Sequence, residues 1–223
     1  MKNLIKHTII GLMLYLTIPK ANAQDYNWAK LDSFNHIGRV YTGLNNGVIY
    51  GLHYGKIINI KKIVFIPFVD LSLPVGERVL DDYKFKLGTS LRLLQNKNWI
   101  LTGGVSLLNQ RYENPFVKMQ NLGVETFLQF GLYKEKWFLN VNISNDYLFA
   151  THFKHSEAYQ KNYAGATNGW YQNTGNNLSL GLNIGYSFKK LDITLSPGIV
   201  KTDRFKSSPT LPFYGKLGIN YKI

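Results

Sequence analysis

Leu178–Phe188 reads LSLGLNIGYSF, and its period is two. Leu178, Leu180, Leu182, Ile184, Tyr186 and Phe188 fall on one side of an extended chain, with Ser179, Gly181, Asn183, Gly185 and Ser187 on the other. The same alternation recurs upstream and downstream. Trp137, Leu139, Val141 and Ile143 stand against Phe138, Asn140, Asn142 and Ser144, and Leu217, Ile219, Tyr221 and Ile223 against Lys216, Gly218, Asn220 and Lys222. Phe85–Leu93 and Leu122–Leu132 alternate likewise, the latter with Thr126 and Phe127 as exceptions. Further segments near 99–109 and 191–199, and less regular ones near 38–45, 48–57 and 63–73, bring the expected number of strands to ten, with eight as the smaller alternative.

The connections between these segments differ in length. Asn59–Lys62, Gln95–Asn98, Lys134–Lys136 and Lys189–Lys190 are tight and polar, whereas 74–84, 110–121, 151–177 and 201–212 read as long loops; Asn45–Gly47 is the one short connection on that side. Short turns on one side and long loops on the other are the asymmetry of an antiparallel up-and-down transmembrane β-barrel, and strands of about 9–11 residues suit a tilted crossing. The polar faces hold mainly Gly, Ser, Asn and Thr rather than the Lys and Glu of a water-facing strand. Aromatic residues gather at strand ends: Trp99, Tyr133, Trp137, Tyr186, Phe188 and Tyr221 near the tight turns, and Tyr147, Phe149, Phe213 and Tyr214 near the long loops. Two such belts fit two membrane interfaces, which places the apolar set outward and the polar set in the lumen. Closure also satisfies every backbone group in a solvent that offers no hydrogen-bond partners.

Composition agrees with an exported β protein. Of 223 residues, 14% are aromatic and 17% charged, with 20 Gly, 15 Tyr, 13 Phe and no Cys. Abundant aromatics and sparse charge exclude a disordered chain, and the lack of Cys excludes disulfide scaffolds, thiolate nucleophiles and Cys-based zinc or iron–sulfur sites. Met1–Ala23 (MKNLIKHTIIGLMLYLTIPKANA) has a basic start, a short apolar stretch and a small-x-small ending at Ala21-Asn22-Ala23. It reads as a signal peptide cleaved after Ala23, followed by a periplasmic N-terminal segment 24–35 and a barrel domain 36–223. Lys2, Lys6 and Lys20 leave with the signal and no acid does, so the formal charge falls from +13 to +10. Outside a cell, such charge meets acidic glycolipid before nucleic acid, for which the chain has no recognition helix, finger or aromatic RNA motif.

The C-terminus adds a motif. Lys216-x-Gly218-x-x-Tyr221-x-Ile223 resembles the assembly signal of bacterial outer-membrane β-barrels, with Ile223 where many members carry Phe. The resemblance covers the architecture of 36–223 and implies outer-membrane insertion by the barrel-assembly machinery, with Tyr221 and Ile223 as its apolar reading positions.

Two readings of function remain. In the first, a non-enzymatic, monomeric outer-membrane barrel uses its loops to contact envelope glycolipid or an external ligand. Thr151–Asn177 is the longest loop, and Lys154, Lys161, Trp170 and Tyr171 on it, with Arg204 and Lys206 on the last loop, are the ligand-contact candidates. In the second, the chain is a small hydrolase acting on lipid A or surface glycan. Lipid A deacylase barrels resemble this chain in size and carry a His-x-Ser pair on one strand face. Here His152, His155, Ser156 and Glu157 supply the residue types of a Ser–His–carboxylate nucleophile, but Ser156 directly follows His155, which on a strand turns the two side chains to opposite faces. Two histidines without a third ligand make no metal site, and no cofactor motif is present. His53, Asp70, Lys86, Arg92, Glu125, Gln129, Asp146, Asp192 and Lys216 belong to the lumen face, where mixed signs can pair. Paired catalytic acids, as in outer-membrane proteases, would draw on Asp70 and Asp146. Ten strands are too few for a wide diffusion pore.

Overall fold

The computed structural model describes residues 26–45, 47–60, 63–76, 80–203 and 211–223. The segment 1–23, expected as a signal peptide, and the loop residues Arg204 and Lys206 lie outside the described residues. In chain order the strands are β1 (His36–Leu44), β2 (Val48–Lys56), β3 (Ile58–Ile60), β4 (Ile63–Pro74), β5 (Tyr83–Asn96), β6 (Trp99–Glu113), β7 (Val117–Tyr133), β8 (Trp137–His155), β9 (Gly169–Phe188), β10 (Leu191–Asp203) and β11 (Phe213–Lys222). A short helix, α1 (Glu157–Asn162), joins β8 to β9, and a 3-10 turn (Trp28–Ser33) precedes β1.

Each strand pairs antiparallel with the next in the chain, except that β2 and β3 both pair with β4, and β1 pairs with β11, so the sheet closes. β2 and β3 keep one register against β4: Ile49 lies opposite Pro74, Gly55 opposite Phe68 and Ile58 opposite Phe65. They are two parts of one arm interrupted at Ile57, and the barrel therefore has the expected ten staves.

The in/out assignment follows the sequence. Leu139, Val141, Leu182 and Ile184 are 43–46% exposed on the outside, while Asn140, Asn142 and Asn183 are 0–1% exposed inside. The step from Trp137 to Phe149 covers about 40 Å of strand, or about 28 Å along the axis at a tilt near 45°, which matches the apolar band of about 25 Å of such barrels. An Arg at Leu182, near the middle of this band, is expected to destabilise the barrel by about 2–4 kcal/mol. Equilibrium unfolding of Leu182→Arg in lipid vesicles checks this, and a loss below about 0.5 kcal/mol would place the side chain outside hydrocarbon.

Several lumen-facing glycines are seats for aromatic rings. A Cβ at Gly185 would fall on the ring of Phe138, one at Gly51 on Tyr41, and one at Gly181 or Gly198 on Tyr214. The Gly on the polar face of LSLGLNIGYSF is thus a packing position. At Gly185 it leaves room for Phe138 of the adjacent β8, and at Gly181 for Tyr214 of β11, two staves away.

Two expected loops are instead strand. β6 and β7 extend through most of 110–121, leaving only Asn114–Phe116 as connection, and β8 and β9 run to His155 and from Gly169. For β8 and β9 the reason is a bulge: β8 shifts register against β7 and β9 around Phe149, which inverts the alternation beyond it. Thr151 becomes inward and fully buried, while His152 pairs with outward Trp170. Backbone pairing continues through these Thr-, Phe- and Tyr-rich segments although the hydrophobic pattern no longer reports it. β9, with 20 residues, would rise about 45 Å along the axis, so β6–β9 form a tall wall above the membrane. β1 and β2, with 9 residues each, form a low one.

Candidate functional site

The lumen is filled from below by the N-terminal segment. Within the segment expected as the periplasmic N-terminal segment, residues 26–33 enter the mouth at the tight-turn end. Trp28 and Leu31 are fully buried there among Ile37, Ile57, Ile66, Ile100, Tyr133 and Phe138. Asn27 fixes the entry: its side-chain oxygen accepts from Ala29 N (3.1 Å), its Nδ2 donates to Lys134 O (2.8 Å) and Ser187 Oγ (2.9 Å), and its backbone N donates to Asp192 Oδ2 (3.3 Å). The other Asp192 oxygen takes Lys222 Nζ at 2.6 Å, with both side chains fully buried. At the rim, Asp32 pairs with Arg92 at 2.9 Å.

Above this plug the charged residues meet. Arg39, His53, Asp70 and Lys86 are successive cross-strand neighbours on β1, β2, β4 and β5. Asp70 accepts from Tyr41 Oη (3.0 Å) and lies 3.4 Å from His53 Nδ1. Two ion pairs then cross the lumen as chords, Lys86 Nζ to Glu125 at 2.7 Å and Lys84 Nζ to Asp146 at 2.5 Å. Ser106 Oγ adds a bond to Glu125 (3.0 Å). Lys216 places its ammonium over the Tyr41 ring at 5.4 Å and the Tyr214 ring at 5.9 Å. The space left among Tyr26, Arg39, His53, Asp70, Lys86 and Phe127 is about 30 Å³, roughly one water. Asp70 and Asp146 are thus engaged by separate partners. They do not form a shared acid pair open to the outside.

A large open concavity, about 860 Å³, lies on the tall wall where β8, α1 and β9 meet. Its lining includes Phe153, His155, Tyr159, Tyr163, Tyr171 and Asn173. His155 stacks on Tyr159 (5.4 Å between centroids), Tyr159 meets Tyr163 (4.7 Å), and Phe153 meets Tyr171 edge-on (5.3 Å). Tyr163 remains 60% and Tyr171 39% exposed at the rim. The rings pack on one another and still present faces to solvent.

The predicted contact residues divide between surfaces. Tyr171 rims the basin, whereas adjacent Trp170 points out of the barrel against His152 at 5.1 Å. Lys154 is exposed on β8 directly opposite Lys118, and Lys161 lies in the last turn of α1. Lys118 pairs with Glu113 (3.3 Å), which also takes Arg111. Sequence reasoning missed Lys118, which strand pairing sets opposite Lys154, and Phe116, which the β6–β7 turn brings against Tyr159 and Ser156; Asn168 lies within the loop region itself but was not singled out. The proposed nucleophile is engaged otherwise. Ser156 Oγ caps α1 by accepting from Tyr159 N, and His155 Nδ1 lies 3.2 Å from Asn168 Oδ1. Glu157 is exposed in the first turn of α1.

The C-terminal motif is explained by the pleat. Lys216 and Gly218 face the lumen, where Gly218 leaves room for Arg39, and Tyr221 and Ile223 face outward at 47% and 55% exposure.

No protein-family model and no curated protein matches the chain. Among solved structures it is similar to a KdgM porin, with a TM-score of 0.44 and 9% identity over 84% of this chain and 99% of that chain. It is also similar to the outer membrane protease OmpT from Escherichia coli (0.43, 9%, 85% and 94%) and to the beta domain of the Bordetella autotransporter BrkA (0.40, 10%, 85% and 99%). With its apolar exterior, filled polar lumen and ten closed staves, the chain has the architecture of a bacterial outer-membrane β-barrel.

Proposed function

We propose that this chain is a non-enzymatic, non-conducting outer-membrane barrel whose tall wall binds the sugar portion of envelope glycolipid or of an external glycan. The aromatic basin carries the reading. Ring faces at Tyr163 and Tyr171 suit the C–H faces of sugars, and Asn162, Thr167 and Asn173 offer amide and hydroxyl partners for sugar hydroxyls. Lys154 and Lys161 supply positive charge for an anionic glycolipid. Arg204 and Lys206 remain part of the proposal from sequence alone. The barrel-assembly machinery is the partner in biogenesis, through the β11 motif, and the folded protein is a monomer.

Tyr163→Ala combined with Tyr171→Ala is expected to leave a heat-modifiable folded barrel and to weaken binding of purified envelope glycolipid about tenfold. Unchanged binding would remove the basin as the contact surface. The hydrolase alternative is read on the same preparation by mass spectrometry. Acyl or glycan release that is present in the parent and lost in His152→Ala, His155→Ala or Ser156→Ala would establish it in place of the first reading.

A further inference from the structure

We infer that the tight-turn end of the barrel carries a binding site for the headgroup of an anionic phospholipid, formed on the outer surface by the β7–β8 turn, the β9–β10 turn and the N-terminal 3-10 helix. A depression of about 690 Å³ lies there, and three chain segments bring four lysines to it: Lys30, Lys136, Lys189 and Lys190. Ser187 N donates to Lys136 O at 2.8 Å, which ties the two turns together and fixes the spacing of their cations. Among the described residues Glu135 is the one acid on this lining, and none of the four lysines forms an ion pair.

Like charges gathered this way repel unless an anion joins them. Lys189 is moreover held at φ 37°, a left-handed turn position that glycine or asparagine fills with less strain.

The other half of the depression is apolar. Tyr186, Phe188, Leu191 and Tyr221 are 41–51% exposed on the barrel's outside, and the Tyr186 and Phe188 rings pack at 4.7 Å. From Phe188 the outward row continues up β9 through Tyr186 and Ile184 to Leu182, so the cations end where the lipid-facing wall begins. Nearby, Lys134 Nζ lies over the Trp137 ring at 5.3 Å, at the same membrane edge.

A soluble anion would use the lysines and leave the aromatic wall bare. A zwitterionic lipid would cover the wall and leave the lysines uncompensated. A phospholipid with net negative charge satisfies both, its phosphate among Lys136, Lys189 and Lys190 and its acyl chains along Phe188 and Tyr186.

The test uses the full mature barrel, extracted from vesicles of phosphatidylcholine mixed with phosphatidylglycerol and examined by native mass spectrometry. The parent is expected to retain phosphatidylglycerol in preference to phosphatidylcholine, and to release it first as salt is raised. Lys136→Ala/Lys189→Ala/Lys190→Ala should lose phosphatidylglycerol adducts at least about tenfold with phosphatidylcholine unchanged, and the corresponding triple arginine variant should keep them. Lys97→Ala, in the β5–β6 turn at the same end, should retain the parent's level. Full retention by the triple alanine variant, or an equal loss in Lys97→Ala, would overturn the site in favour of a diffuse positive rim. If the triple variant does not fold, Lys136→Glu alone reads the same contact, and undiminished phosphatidylglycerol retention there overturns it too.

Discussion

Asp192→Ala is expected to cost about 3–5 kcal/mol in equilibrium unfolding from lipid vesicles, among the largest losses for any single substitution in the chain. The carboxylate sits with no exposure against Lys222 Nζ at 2.6 Å and receives Asn27 N on its second oxygen. Removing it strands an ammonium where water cannot reach and frees the first anchor of the plug. The complementary experiment removes both charges. Asp192→Leu with Lys222→Met should recover most of the loss, since an apolar pair of similar volume often does as well as a buried ion pair. A single-substitution loss below about 1 kcal/mol would mean that Lys222 regains solvent, and the mouth is then not sealed.

Trp28→Ala is the second, also expected at about 3–5 kcal/mol, because a fully buried indole leaves a void that the rigid staves around it cannot collapse to fill. It separates stability from conduction. Emptying the lower mouth leaves the Lys86–Glu125 and Lys84–Asp146 chords in place higher up. The variant should therefore melt earlier and still show no ion conductance in planar bilayers. Steady conductance in Trp28→Ala would show that the plug, rather than the ion pairs, closes the lumen. An unchanged melting temperature would show that the N-terminal segment docks without contributing to the fold.

Both predictions concern a segment whose role could not be read from its own residues. Trp28 and Leu31 carry no period of two, and nothing in YNWAKLDS names the partners Asp192, Ser187 and Ser90, which lie far away in the chain. The strands were legible for the opposite reason: a sheet between lipid and a polar lumen writes its two environments on alternate residues. That record lasts only while the two sides differ. Above Phe149 both sides of β8 and β9 face water or other polar groups, so Thr151–His155 and Gly169–Asn177 looked like loop although their backbone pairing continues. The site candidates suffered from the same parity. Trp170 and Tyr171 look like one cluster in the chain, and neighbouring positions on a strand necessarily part company. Lys154 was readable as exposed, but its neighbour Lys118 was not, since register and not sequence distance brings them together.

The unequal heights of the wall have a kinetic side. Every neighbouring pair of staves but one is held by a covalent connection; the exception joins β1 to β11, where the two ends of the barrel meet without a turn. That ladder spans only Ile37–Leu44 against Gly215–Lys222, whereas the β8–β9 ladder spans Trp137–Phe153. Closing it must restrain nearly the whole chain for few hydrogen bonds, so it forms late and yields early. The molecule is thus anisotropic in time, a durable curved sheet fastened by a brief clasp, and its path of escape points sideways into the bilayer.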